Sequence, residues 1–243
     1  MARLVSPYKP EGAAKLRINP FVVRIVPLLA IALLSSGTVV VASDLFYLTT
    51  IPILSVASPG DKPIRAPSYA IIQVTHLSNL LGPEVLFNEG ARGLGAFKGS
   101  VFGADWKEGA RKATLAASMA VGEDPRTWQV TLKGAGPGYT MNGPSASAAL
   151  AIAMVAARRG DTLLPGVVIT GNVDPDGRIS AVGRLPEKIL LAASAGFSTI
   201  LIPPGQTRTQ DWDLRPLAES LNVTVIEAPT IKEAYERMTG QRF

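Results

Sequence analysis

Between Ile25 and Ala42 the chain reads IVPLLAIALLSSGTVVVA, 18 residues without a charge. As a helix this run would reach about 27 Å, close to the ~30 Å hydrocarbon core of a bilayer. Arg3, Lys9, Lys15, Arg17 and Arg24 precede it against one acid, Glu11, and Asp44 follows it. That asymmetry keeps the N-terminus in the cytoplasm and exports what comes after. A signal peptide would be cut after Ala42, where Val40 and Ala42 form a small-residue site. A retained anchor would hold the remainder at the outer face of the membrane, and the long basic arm favours it. The charge asymmetry argues against the third reading, a buried core helix. The expected organisation is a basic arm (1–24), a transmembrane or signal segment (25–42), a linker (43–68) containing SVASPGDKPIRAPS, and a folded domain over 69–243.

The formal charge of +5 resides almost wholly in the arm, so the high pI does not describe a basic nucleic-acid face. No nucleic-acid partner is expected. Cysteine is absent and His76 is the single histidine. This excludes a thiol nucleophile, a thiolate metal site and a histidine-rich one, and leaves hydroxyls, carboxylates, lysines and backbone amides to do any chemistry. Hydrophobic residues at 47% are enough for a sizeable core.

Over the domain, Ser68–Thr75 and Thr127–Leu132 read as strands, and Glu84–Phe102 as a glycine-broken hairpin. Asp105–Val121 has helical spacing with Asp105 as N-cap. The loop GAGPGYTMNGP leads into a strongly apolar helix, Ser145–Ala157. Val167–Val173 and Arg178–Val182 read as strands about the turn Pro175-Asp176-Gly177. Leu185–Ala195 is a helix with Pro186 in its first turn and Gly196 at its end. Thr199–Ile202 and Val223–Ile226 are strands; Trp212–Leu221 and Thr230–Met238 are helices. The fold class is α/β with a mixed sheet.

Three residues stand out chemically. Ser145, in Gly143-Pro144-Ser145-Ala146-Ser147, joins the glycine-rich loop to a helix, where unpaired N-terminal amides can stabilise an oxyanion. Lys188 sits in the first turn of the apolar helix LPEKILLAA. Thr170 ends the strand VVIT. A serine needs a base, and lysine serves only if burial brings its pKa down from ~10.4. A capping serine and a snorkelling lysine remain the plainer readings of the same residues.

The stretches GPSASAALAIAMVAA and VVITGNVDPDGRISAVGRLPEKILLAASAGFSTILIPPGQ resemble the proteolytic domain of Lon proteases, whose pattern runs DGPSAG, MTGE, PVGGLKEK and then IP. The resemblance covers Gly143–Pro203 and extends more weakly over Gly99–Ala117. It implies the mixed-sheet fold of that family (ribosomal protein S5 domain 2-like), a Ser145 nucleophile and a Lys188 general base, with Thr170 at the family's strand threonine. Gly143, Pro144 and Ala146 complete the serine motif. Ser145 and Lys188 lie 43 residues apart, the family's usual separation. The departures are Asn142 for an acid, Ser147 for a glycine, and Gly183-Arg184-Leu185-Pro186-Glu187-Lys188 for GGLKEK.

No G-x-x-x-x-G-K-[ST] occurs in the sequence. The resemblance therefore implies an ATP-independent endopeptidase acting on unfolded or extended polypeptide without a cofactor or metal, with a homohexameric ring expected from the family. Two other functions compete. One is a catalytically silent domain of the same fold, binding peptides or scaffolding. The other is phosphate or nucleotide binding by the glycine-rich loop, which GPSAS fits poorly. Asp105, Lys107 and Glu108 read as a solvated helix face, His76 as structural or at a rim, and Ser147 as a hydrogen-bonding group.

Overall fold

The computed structural model describes residues 46–56, 64–89, 101–135 and 140–243. Phe46–Ile53 (β1) pairs antiparallel with Ser68–His76 (β2), Phe46 opposite Thr75 and Ile53 opposite Ser68. The folded unit thus includes β1, and the linker expected over 43–68 is corrected for these residues. Alternation explains the strand: Ile51 and Ile53 turn into the core while Phe46, Leu48 and Thr50 face out. Pro52 is tolerated because β1 is an edge strand, where a missing N–H breaks no ladder. The apolar span proposed at Ile25–Ala42 lies outside the described residues, among which no helix is long and apolar enough to cross a membrane.

Glu84–Asn88 (β3) and Val101–Phe102 (β4) do not form the expected hairpin, since they belong to different sheets. The helix Ala104–Ala120 (α1) starts from Gly103, and Asp105 lies in its first turn rather than capping it. Trp128–Ala135 (β5) pairs antiparallel with β2 and parallel with β3, completing a four-stranded sheet in the order β1-β2-β5-β3. The parallel partner is remote in sequence, which is why local glycine patterning suggested a hairpin instead.

Thr140–Met141 (β6) pairs with β4. A 3-10 turn, Pro144–Ala146, then precedes the helix Ser147–Arg159 (α2), so Ser145 stands just before the helix that was expected to begin with it. Ser147 through Ala157 are all buried, which makes α2 a central helix. It packs against α1, the inner faces of β1 and β2, and the C-terminal helix Ile231–Thr239 (α5). Leu150, Ile152 and Met154 are fully buried there, and truncation of any of them to alanine costs about 2–5 kcal/mol.

The single strand expected over Val167–Val173 is two: Val167–Ile169 (β7) and Asn172–Val173 (β8). The break falls at Gly171, whose amide turns to Ser145 O (3.0 Å), while Thr170 N still donates to Leu201 O (3.1 Å) and continues the ladder of β7. β8 pairs antiparallel with Ile179–Ser180 (β9). Leu185–Ser194 (α3), Thr199–Ile202 (β10), Leu214–Ser220 (α4) and Thr224–Glu227 (β11) follow. α4 begins later than the sequence suggested because Asp213 caps it, accepting from Arg215 N. β7, β10 and β11 form a parallel sheet in the order β11-β10-β7. One hydrophobic cluster joins the four-stranded sheet to α1, α2 and α5, and a second gathers Val168, Ile200 and Ile202 with Leu185, Ile189 and Leu214. Mixed α/β is thus the observed class.

Candidate active site

The turn that carries Ser145 is shaped by its neighbours. Gly143 has φ 79°, a conformation that penalises any Cβ, and Pro144 fixes the next residue in the 3-10 turn. α1 closes over this turn at Gly109, where an added Cβ would stand 3.1 Å from Pro144 Cα and 3.3 Å from its carbonyl oxygen. A side chain at 109 would therefore push Ser145 out of place. Ser145 is half-buried, Ala146 is buried, and Pro144 and Asn142 are exposed.

Behind the turn, the break after β7 grips the same backbone. Gly171 N donates to Ser145 O, and Ala148 N donates to Gly171 O at 3.1 Å. Ser147, buried, accepts from Val173 N at 2.8 Å, which settles it as a structural hydrogen-bonding residue. The helix-start amides expected to be unpaired are partly spent: Ser147 N goes to Pro144 O and Ala148 N to Gly171 O.

Lys188 lies one turn into α3 and is 3% exposed. Its Nζ donates to Thr170 Oγ1 at 3.1 Å, and that hydroxyl donates to Ser145 O at 3.3 Å. Thr170 thus links the amine to the backbone of Ser145 itself. Burial penalises the ammonium and brings Lys188 down to about 8; the nearby Arg184 guanidinium pushes the same way, and Glu187 opposes them.

Ser145 and Lys188 line one cavity of about 380 Å³. Asn142, Gly143 and Pro144 form one wall, and Ala181, Val182, Gly183 and Arg184 another. Leu54-Ser55-Val56, which runs on from β1, and Asn172 also line the cavity and were not foreseen from sequence as part of the site. Asn172 donates to Ala181 O at 2.9 Å, while its Oδ1 is buried without a partner. His76 is exposed at the end of β2 and is not part of the lining. Asp105 and Glu108 are exposed on α1, and Lys107 pairs with Glu89 at 3.0 Å. An amine kept dry beside a serine turn on one cavity is an arrangement that can accept a hydroxyl proton.

Residues 130–236 match the family described as the Lon protease (S16) C-terminal proteolytic domain. The matched region is a Lon-type proteolytic domain. It runs from Val130 in β5 to Glu236 in α5 and contains Ser145, Thr170 and Lys188; the weaker resemblance over Gly99–Ala117 falls outside it. The chain is 34% identical over 86 residues to the Lon protease of Buchnera aphidicola, covering 35% of this chain and 11% of that protein. It is 35% identical over 109 residues to the Lon protease of Vibrio parahaemolyticus (42% and 13%). To that of Mycoplasma genitalium it is 30% identical over 92 residues (38% and 12%). The matched part therefore spans only about an eighth of these Lon proteases.

Proposed function

We propose that this chain is a serine endopeptidase in which Ser145 is the nucleophile and Lys188 the general base. The observation that carries the reading is the buried Lys188 amine, brought down to about 8, on the cavity that Ser145 lines and tied through Thr170 to the Ser145 carbonyl. Neutral Lys188 takes the Ser145 proton as Oγ attacks the substrate carbonyl. The tetrahedral oxyanion forms beside the backbone amides of the Ser145 turn. Lys188 passes its proton to the leaving amine, and the acyl-enzyme remains. Water, deprotonated by the same amine, then releases the acid. Thr170 orients the amine throughout. The scheme uses no cofactor.

The reading includes ATP-independent cleavage of polypeptide that is already unfolded or extended. The uncharged run at Ile25–Ala42 supports a place at the membrane with the domain on the extracytoplasmic side, and the family resemblance supports assembly into a homohexameric ring. Ser145→Ala and Lys188→Ala are each expected to abolish cleavage of casein without loss of secondary structure. Undiminished cleavage by either purified variant refutes the assignment.

A further inference from the structure

We infer that Leu80 and Leu81 dock this domain on a lipid bilayer and hold its cavity away from the membrane, an inference that rests on the membrane placement proposed above. Leu81 is 81% exposed, the highest value for a large apolar side chain among the described residues, and Leu80 beside it is 47% exposed. They form the tip of the loop between β2 and β3, and the loop is built to present them. Leu77 N donates to Thr127 O at 2.6 Å and Gly82 N to Arg126 O at 2.9 Å, which clamps both ends. Asn79 Oδ1 accepts from Leu81 N at 3.2 Å, and Leu80 takes φ 55°, a left-handed conformation that disfavours a side chain. In water that turn leaves two leucines unburied; an apolar medium stabilises both.

The path of the chain says which surface covers them. The uncharged run ends at Ala42, and β1 begins four residues later, at Phe46. Fully extended, four residues span at most about 14 Å. An anchored chain therefore keeps the Phe46 end of the sheet within that distance of the bilayer. Phe46 pairs with Thr75, next to the last residue of β2, so the loop with Leu80 and Leu81 leaves the sheet at this same end. Phe46 and Leu48, exposed on β1, add apolar surface there. Charge adds little, because Arg126, whose carbonyl clamps the loop, pairs with Asp124 at 2.6 Å. The opposite end of β1 runs into Leu54, which lines the cavity, about 26 Å along the strand at ~3.3 Å per residue. With tether and leucines at one end of the sheet, the cavity meets polypeptide in the aqueous layer and not segments still inside the bilayer.

The chain has no cysteine, so a single introduced one can carry an environment-sensitive fluorophore. The full chain, labelled at Ser78→Cys or at Leu190→Cys, is reconstituted into phosphatidylcholine vesicles whose brominated acyl chains act as quencher. Both positions are exposed, the first beside the leucines and the second on α3, close to Lys188. Quenching and a blue shift are expected at 78 and not at 190, unaltered by salt. Adding Leu81→Asp should lower the ratio of inserted to free label by about tenfold or more, the scale of burying one leucine, while Leu81→Ile should preserve it. Resistance to carbonate extraction reads the anchor separately. A chain that stays with the vesicles through carbonate while label 78 is unquenched, or quenching that survives Leu81→Asp, overturns the inference and leaves the anchor standing. A chain that carbonate releases sinks the membrane placement, and the inference with it.

Discussion

Replacing Lys188 with methionine separates what the amine does to the fold from what it does for chemistry. The amine is 3% exposed and burial brings it from 10.5 to about 8, which corresponds to a penalty on the order of 3 kcal/mol on the charged form. The folded value lies below the unfolded one, so between about pH 8 and 10.5 the unfolded chain binds the extra proton. Unfolding free energy therefore rises with pH across that window and is flat on either side as far as this group is concerned. Methionine fills similar space and carries no charge. Lys188→Met should accordingly be more stable than wild type by about 2–3 kcal/mol at pH 7, with the gap closing by about pH 10.5. The assay is urea unfolding followed by the fluorescence of the buried Trp106 and Trp128, at pH 7, 9 and 10.5. Subtracting the two proteins removes the titration of all other groups. A variant less stable than wild type at pH 7, or a gap that does not change with pH, would refute the claim that the amine is held dry against its preference for water.

Other consequences follow from the same contacts. Thr170→Val keeps the shape but removes both hydrogen bonds of the hydroxyl; kcat should drop about tenfold, roughly 1.4 kcal/mol, with a small loss in melting temperature. Gly109→Val should wedge α1 away from Pro144 and lower kcat in steady-state assays with no change in the pH midpoint. Glu123 accepts from Trp128 Nε1 at 2.9 Å and pairs with Arg158 at 2.7 Å, while Arg158 also donates to Tyr47 OH of β1. Glu123→Ala leaves the indole N–H unsatisfied and should cost about 1–3 kcal/mol in urea unfolding.

Ser145, Thr170 and Lys188 were legible because each sits in a short motif whose local chemistry is distinctive, and the structure brings the cavity-lining pair and their bridging hydroxyl together. The central burial of α2 was legible too, since its run of apolar residues leaves no polar face. What local sequence could not carry was pairing at a distance. β1 reads as linker in sequence because a proline and a following Pro/Gly/Ser-rich stretch hide an alternating strand whose partner lies beyond that stretch. With it went Leu54–Val56, which reach the cavity only because β1 delivers them there. No sequence motif marks Gly109, because its role depends on how closely α1 approaches Pro144. The break at Gly171 is invisible for a similar reason: the amide that leaves the strand there bonds to Ser145, remote in sequence.

The central claim is that a dry amine near pKa 8 activates Ser145. Labelling with a peptidyl diphenyl phosphonate, read by mass spectrometry as a function of pH, tests it most directly. The account predicts a single adduct on Ser145, forming at a rate that rises through a midpoint near pH 8 and is lost in Lys188→Met. An adduct on another residue, or a Ser145 rate that is indifferent to pH and survives the methionine variant, would contradict it.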